Sequence, residues 1–293
     1  MDRVQEIKMS NRMILTMGAN ANRKIMRELY LDQIEDTIWH RKEYFKGHKF
    51  DSRNFTSLVN RMRNRIKGNE YGSFSLYLGE SLEAIYDYRT KSNKMGILCY
   101  ASPEIPCAGF IHAPYSQEGR ICSVSGLYTI MTDDRVQGFY YYNHAQSHGG
   151  NYEPHVLYLP KVPFFPDGLD QDHEFQCNIL LSAPPVWKIT EDHPERKPEL
   201  INNLKDHLRM IFDVAKDNQL DTILIGPYGC EPYFGWEPQA LVDCLIEILK
   251  EYKEDFKNIV FVIPKHERAG YSKFVAAFEG HGYLLKNLAS SGC

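Results

Sequence analysis

The sequence has no long apolar run and no overall basic charge. No stretch of its 293 residues approaches the ~18 consecutive apolar residues of a membrane-spanning helix, so we expect no membrane partner. The first residues, Met1–Glu6, lack the apolar segment of a secretory signal, although secretion without such a signal stays open. The formal net charge of -4 gives no field that would attract nucleic acid, so direct nucleic-acid binding is not expected.

Paired metal-ligand spacings and hydrolase motifs are also missing. The seven cysteines are odd in number, and several lie in apolar runs, which indicates reduced thiols in a cytoplasmic, reducing compartment. Cys107 and Cys230 lie in glycine-rich loops, where each is either a nucleophile or a small filler. Four histidines (His144, His148, His155 and His173) share a polar stretch without metal-ligand spacing, so we expect no metal and no cofactor. A Gly-x-Ser-x-Gly nucleophile turn is absent as well.

From residue 95 onward, apolar strand patterns alternate with amphipathic helix patterns. This alternation predicts an α/β layered protein. The predicted strands are Gly96–Tyr100, His155–Leu159 (ended by Pro160 and Pro163), Cys177–Ser182, Thr222–Ile225 and Asn258–Ile263. The predicted helices are Glu118–Ile130, Lys197–Asn218, one opening at Pro238, and Ser272–Glu279.

The first third of the chain has a different pattern. Residues 1–90 are interpreted as an N-terminal helical extension packed on the core, and residues 91–293 as the core. Apolar residues recur at helical spacing in Arg23–Arg41, and Ser57–Ile66 is a second short helix candidate. Phe74–Tyr77 and Ala84–Tyr88 are predicted as strands.

Two loops that each follow a strand carry the residues of greatest interest. The first runs from Ala101 to Gly109 and on to Gln117; the second is Gly226–Gly235. Glycine lets a backbone approach a phosphate closely, and a following helix N-terminus favours negative charge. Tyr228, Tyr233 and Phe234 would add a wall for a ribose or base. Tight turns with aromatic packing would give the same pattern.

At these positions the chain resembles the macrodomain fold, and specifically the microbial-type poly(ADP-ribose) glycohydrolases. The family's Asn-Phe-Ala-Ser, Asn-Pro-Gly-Gly-Gly and Gln-Glu-Glu segments align without a gap on Cys99–Ser102, Ile105–Gly109 and Gln117–Gly119. Further matches are Leu127-Tyr128, Tyr158–Asp167, Ser182–Pro184 and the second glycine loop.

The resemblance implies a three-layer α/β/α fold with a mixed central sheet. It also implies ADP-ribose or an ADP-ribosylated protein as the partner, with the two loops around the diphosphate. In this family the second Glu of Gln-Glu-Glu protonates the leaving group. The ligand-binding residues implied by the resemblance are Ala101, Ser102, Ile105, Cys107, Ala108, Gly109, Phe110, Gln117, Ala183, Pro184, Gly226, Tyr228, Gly229, Cys230, Tyr233 and Phe234.

The departures from the family pattern fall on the ligand and acid positions. Ile105 replaces the ribose-binding Asn, Cys107 and Ala108 replace two glycines, and Gly119 replaces the catalytic Glu. In the second loop Glu231 replaces a glycine, where a carboxylate should repel a phosphate. Pro227 and Pro232 each remove an amide donor there. Loss of the positioned acid alone should cost on the order of 10²–10⁴ in rate.

Two functions therefore stay open. The chain recognises ADP-ribose, with hydrolysis weak, absent or rebuilt on Glu118 or on a substitute acid at Asp133, Asp134, Asp167 or Glu231. Glu118 is otherwise a helix N-terminal carboxylate stabilised by the helix dipole. Alternatively, the fold is a non-catalytic module that binds another nucleotide or a protein partner. The aromatic run Phe139–Tyr142 is then a contact surface, or else a buried element.

Overall fold

A mixed sheet of six strands forms the centre of the described part of the protein. The computed structural model describes residues 73–110, 116–133, 136, 138–145, 149–164, 175–265 and 270–283. The strands are β1 (Ser73–Leu78), β2 (Met95–Tyr100), β3 (Leu157–Phe164), β4 (Phe175–Ser182), β5 (Thr222–Ile225) and β6 (Asn258–Ile263). Their spatial order is β1-β6-β5-β2-β4-β3. All neighbours are parallel except β3 and β4, which run antiparallel.

Helices cover both faces of this sheet. The helices are α1 (Ser81–Tyr88), α2 (Gln117–Ser123), α3 (Leu127–Met131), α4 (Gly138–Ala145), α5 (Ile189–Asp192), α6 (Lys197–Asp217), α7 (Pro238–Tyr252) and α8 (Tyr271–Gly280), with single 3₁₀ turns at Pro106–Gly109 and Pro194–Arg196. None of the described helices is both long and apolar enough to cross a membrane.

Alternation along the buried strands builds two separate apolar cores. Ile97 and Cys99 of β2 pack with helices α1 to α4, whereas Leu98 and Tyr100 pack with α6 to α8. This alternation follows from the two-residue side-chain period of a strand. All six residues of β2 are buried, as expected for a central parallel strand. The predicted three-layer α/β/α architecture with a mixed sheet is confirmed.

The strongest strand patterns are confirmed in place, and two other predictions are wrong. Thr222–Ile225 and Asn258–Ile263 are strands with those bounds. Ala84–Tyr88 is not a strand but part of helix α1. The predicted helix Glu118–Ile130 is broken, because Ser125 pairs with Phe164 of β3 and separates α2 from α3.

Strand β3 continues through the two prolines that were expected to end it. It lies at the edge of the sheet, where a missing N–H costs no ladder hydrogen bond. Its register against β4 shifts between Leu159 and Val162, and Lys161 there has a positive φ of 51°. The bulge absorbs Pro160, so the strand runs on to Phe164.

The predicted boundary between residues 90 and 91 falls between helix α1 and strand β2. Strand β1 pairs with β6 along its whole length, from Ser73 with Asn258 to Leu78 with Ile263. The core therefore begins no later than Ser73, inside the segment interpreted as an extension. The predicted helices Arg23–Arg41 and Ser57–Ile66 lie outside the described residues.

Candidate ligand-binding site

The two loops singled out in the sequence leave the same edge of the sheet. Loop 1 (Ala101–Phe110) follows β2, and loop 2 (Gly226–Gly235) follows β5. Strands β2 and β5 are parallel neighbours, so their carboxyl ends lie side by side. Ligands of open α/β sheets bind at this edge.

Two residues of loop 1 have the left-handed backbone conformation that favours glycine, although neither is a glycine. Cys107 has a φ of 56° and Ala108 a φ of 51°, both in the left-handed region. For a residue with a Cβ this conformation costs roughly 1–2 kcal/mol. Hydrogen bonds within the loop hold the turn: the amide of Ala108 donates to the Ile105 carbonyl at 3.1 Å, and that of Phe110 to the Cys107 carbonyl at 2.9 Å.

The loop 1 side chains divide into buried and exposed ones. Ala101, Cys107 and Phe110 are fully buried in the core beneath helices α1 to α4. Glu104 and Ile105 are exposed, Ile105 with 58% of its surface. Loop 1 therefore offers its backbone, Glu104 and Ile105, rather than Phe110, to any ligand above it.

Glu118 lies beneath loop 1 and binds its backbone. Its Oε2 accepts a hydrogen bond from the Ser102 amide at 2.9 Å, and the Cys107 amide interacts with the same carboxyl. The side chain is fully buried, and Oε1 has no hydrogen-bond partner. Burial raises the pKa of Glu118 to about 8. Glu118 lies in the first turn of helix α2, as expected, and the cost of desolvation exceeds the stabilisation that the helix dipole gives its charged form.

The start of helix α2 has no second acid. Gly119 occupies the position next to Glu118, and its amide donates to the side chain of the N-cap residue Ser116 at 3.0 Å. Gln117 ties the helix to β2: its Oε1 accepts from the Tyr100 amide at 3.0 Å, and its Nε2 donates to the Leu98 carbonyl at 2.9 Å. Gln117 therefore has a structural task besides any ligand contact.

Loop 2 is a compact turn that depends on two of its glycines. A Cβ on Gly226 would collide with the Tyr100 hydroxyl and lie 2.9 Å from the Val262 carbonyl oxygen. Gly229 has a φ of 83°, and a Cβ there would lie 2.7 Å from the Trp236 ring and 3.2 Å from Pro184. Pro184 and its neighbour Ala183 are buried beneath the loop.

The acid of loop 2, Glu231, folds back on its own loop. The amides of Gly229 and of Glu231 itself interact with its carboxyl, while Oε2 is shielded from solvent and has no hydrogen-bond partner. Burial raises the pKa of Glu231 to about 8. The raised pKa favours the neutral acid, which weakens the phosphate repulsion expected from the sequence.

A pocket of about 270 Å³ opens between loop 2 and the N-terminal ends of helices α1 and α2. Gln117 and Cys230, both predicted from the sequence, line it, whereas no described residue of loop 1 does. The remaining lining residues are Glu80, Ser81, Leu82, Tyr100, Ser116, Arg120, Ile121, Pro227, Glu231, Pro232 and Pro264.

Sequence reasoning missed the part of the wall that follows β1. Glu80 accepts an ion-pair hydrogen bond from Arg120 at 2.7 Å, which joins α1 to α2 beside the pocket. The sequence signal for this part of the wall is the strand pattern at Phe74–Tyr77. The residues that follow a parallel strand at this position lie at the same edge of the sheet as the two loops. Its pairing with β6 is not visible in the sequence.

The aromatic residues of loop 2 differ in their access to a ligand. Tyr228 is buried, and its hydroxyl shares a hydrogen bond with Ser182 Oγ at 2.8 Å. Phe234 is buried as well, whereas Tyr233 is 56% exposed. Of the three predicted wall residues, only Tyr233 offers a large exposed surface.

Outside the loops, the other candidates of the sequence contribute little. Phe139 and Tyr140 of the aromatic run are buried in helix α4, and Tyr141 is exposed. Within the described residues, no group of three or more His, Cys, Asp or Glu side chains is arranged to hold a metal ion. His148, His173, Asp134 and Asp167 lie outside the described residues.

Fold and site together define a macrodomain-like α/β protein with two loops at the carboxyl edge of its sheet. The chain belongs to the family described as microbial-type PARG, catalytic domain, which matches residues 21–167, about half of its 293 residues. No curated protein matches the chain in sequence.

Solved structures extend the similarity to most of the chain. Poly(ADP-ribose) glycohydrolase (PARG) from Deinococcus radiodurans in complex with ADP-ribose superposes with a TM-score of 0.69 at 25% identity, over 79% of this chain and 93% of that chain. A second crystal form of that complex gives 0.66 at 26% identity, over 79% and 94%. The glycohydrolase from Thermomonospora curvata gives 0.65 at 22% identity, over 75% and 82%.

Proposed function

We propose that this protein binds ADP-ribose units, free or attached to protein, at the carboxyl edge of the sheet, and that it does not hydrolyse them with the acid usual in its family. The left-handed backbone at Cys107 and Ala108 carries the proposal. A left-handed backbone at residues that carry side chains is typical of a functional loop. The Deinococcus relative, crystallised with ADP-ribose, supports the choice of ligand.

The proposed lack of hydrolysis rests on the position of the acids. Glycoside hydrolysis needs a carboxylic acid within hydrogen-bond reach of the leaving oxygen. Gly119 has no side chain to supply one, and Glu118 is fully buried and does not line the pocket. We therefore assign Glu118 the task of holding the amides of Ser102 and Cys107. Of the substitute acids considered, Asp133 is buried, and Glu231 lines the pocket.

Calorimetric titration with ADP-ribose tests the binding. We expect saturable heat, and adenosine at the same concentration should bind more weakly because it lacks the diphosphate. No heat from ADP-ribose at millimolar concentration would contradict the proposal.

Release of ADP-ribose from a modified protein tests the chemistry. We expect no release above the rate without the protein, and no change in the Glu118→Gln variant. A measurable rate that falls in Glu118→Gln would make Glu118 a catalytic residue and overturn its assignment as a positioning residue.

One observation favours the second candidate function, a protein-binding module without nucleotide. Ile105 and Tyr233 are exposed apolar residues, one on each loop, at 58% and 56%. Exposed large apolar groups of this kind anchor protein interfaces. This alternative predicts a stable partner that is lost in the double variant Ile105→Ser, Tyr233→Ser and is not displaced by ADP-ribose. Displacement by ADP-ribose would favour the first function.

A further inference from the structure

In loop 2, the carboxyl of Glu231 occupies the amide donors of the loop itself. The carboxyl of Glu231 interacts with the amides of Gly229 and Glu231, and these are the donors a loop of this kind offers to an anion. Its second oxygen, Oε2, has no hydrogen-bond partner, and Glu231 forms part of the pocket wall. A ligand phosphate that approaches these amides must therefore meet this carboxyl.

The groups that surround Glu231 leave its charge uncompensated. Tyr100 and Cys99 of β2, Glu118 of α2, and Cys230 and Tyr228 of its own loop interact with it electrostatically, and all are neutral or acidic. Among the described residues, no lysine, arginine or histidine contributes to the pKa shift of Glu231.

Among the described residues, the pocket wall has one cationic side chain, and this side chain already forms an ion pair. Arg120 lines the pocket together with Glu80 and binds that carboxylate at 2.7 Å. A phosphate placed beside an ionised Glu231 would bring two negative charges together in a partly desolvated site.

We propose that Glu231 is a specificity-determining residue that couples binding of the ligand's diphosphate to protonation. As a neutral acid, its hydroxyl donates a hydrogen bond to a phosphate oxygen. As a carboxylate, it holds the loop amides and excludes the phosphate. One proton is taken from solvent for each site that starts ionised, and no covalent bond changes. The inference rests on the proposed ADP-ribose binding.

The coupling sets a direction for pH dependence. Because burial raises the pKa of Glu231 to about 8, the free protein holds this proton at neutral pH and loses it above that value. The diphosphate of ADP-ribose has no group that titrates between pH 7 and 9, so a change in this range belongs to the protein. Between pH 7 and pH 9 the affinity should fall about tenfold if only the neutral form binds.

Calorimetry of the whole chain with ADP-ribose at pH 7 and pH 9 tests this inference. We expect the dissociation constant of the unmodified chain to rise about tenfold, and that of Glu231→Gln to stay within about twofold. The matched control is Glu195→Gln, since the Glu195 side chain is 69% exposed; it should keep the tenfold change. At pH 8, titrations in buffers of different ionisation enthalpy should give uptake of about half a proton by the unmodified chain.

The proton count needs no variant, so a count of zero decides against the coupling even if Glu231→Gln does not fold. Equal affinity at pH 7 and pH 9 with no proton uptake at pH 8 would overturn the role of Glu231 and leave ADP-ribose binding intact. Absence of binding at both pH values, in the unmodified chain and in Glu231→Gln, would overturn the proposed function itself.

Discussion

Loop 1 and loop 2 leave neighbouring parallel strands, and the amides of each loop interact with a glutamate, Glu118 for loop 1 and Glu231 for loop 2. Burial raises the pKa of Glu118 beneath loop 1 and of Glu231 in loop 2 to about 8 in both cases. The two acids differ in access: Glu118 is fully buried, whereas Glu231 forms part of the pocket wall. A shifted pKa therefore does not by itself identify a ligand-facing acid; its place relative to the pocket does.

The backbones of the two loops differ in a complementary way. Loop 1 has left-handed residues at Cys107 and Ala108, which carry side chains, whereas loop 2 has glycine at its left-handed positions, Gly229 and Gly235. Loop 2 is thus the unstrained one, and loop 1 stores a small amount of strain that Glu118 and the buried side chains hold in place.

The largest effect is expected at Gly226, where loop 2 begins. Gly226→Ala should lower the free energy of unfolding by about 3 kcal/mol, because the new methyl group collides with the Tyr100 hydroxyl and the Val262 carbonyl. Urea denaturation measures the loss. Gly282→Ala is the control: it has a φ of 81° but no atom within 4 Å of the added Cβ, so strain alone should cost about 1 kcal/mol. Equal losses of stability in the two variants would mean that loop 2 adjusts around the new methyl group and is not tightly packed at Gly226.

Next in size is the contrast between the two acids. Glu118→Ala should cost about 2 kcal/mol, because the Ser102 amide loses its acceptor in a closed site. Glu231→Ala should cost less, since water can enter from the pocket and satisfy the amides of loop 2. The difference is measured by urea denaturation of both variants at pH 7. A larger loss for Glu231→Ala would reverse the comparison.

The pH dependence of stability tests whether burial holds the proton on Glu118. Its pKa in the folded chain is about 8, above the ordinary value of 4.5, so the folded state binds more protons between these values. Stability is therefore highest at low pH within this window and falls as pH rises from about 4.5 to 8, by at most about 1.4 kcal/mol per pH unit for one acid. Glu118→Gln should flatten the fall. An unchanged slope would indicate that Glu118 is ionised in the folded protein.

The smallest effect concerns the strain of loop 1. Ala108→Gly should stabilise the protein by up to about 1 kcal/mol, because the relief at a φ of 51° exceeds the entropy cost of glycine. Ala84→Gly in helix α1 is the opposing control and should destabilise by about 1 kcal/mol or more. A loss of stability in Ala108→Gly would remove the evidence for strain.

Local patterns predicted the elements, and tertiary context decided the site. Thr222–Ile225 and Asn258–Ile263 were found from their apolar, β-branched runs, because a central parallel strand is buried on both faces. The sequence predicts an end of strand β3 at Pro160, because the tolerance of a strand for proline depends on whether the strand lies at the edge of the sheet. The pocket wall at Glu80 depends on the pairing of β1 with β6, which links residues far apart in sequence.

The site residues divide in the same way. The two loops and the missing acid at Gly119 were readable from the sequence, because they rest on spacing and residue type. The burial of Cys107, Phe110 and Tyr228 could not be predicted from the sequence, since small and aromatic loop residues serve equally as ligand contacts or as core residues. The raised pKa of Glu231 arises from its surroundings in the folded loop, and no local pattern encodes it.

A crystal structure of the protein soaked with ADP-ribose tests the central claim most directly. We predict ligand density between Gly109 and Gly229 that extends into the pocket beside Gln117 and Cys230, with a phosphate oxygen within hydrogen-bond distance of Glu231. Both loops unoccupied at millimolar ligand, or ADP-ribose bound elsewhere on the surface, would contradict it.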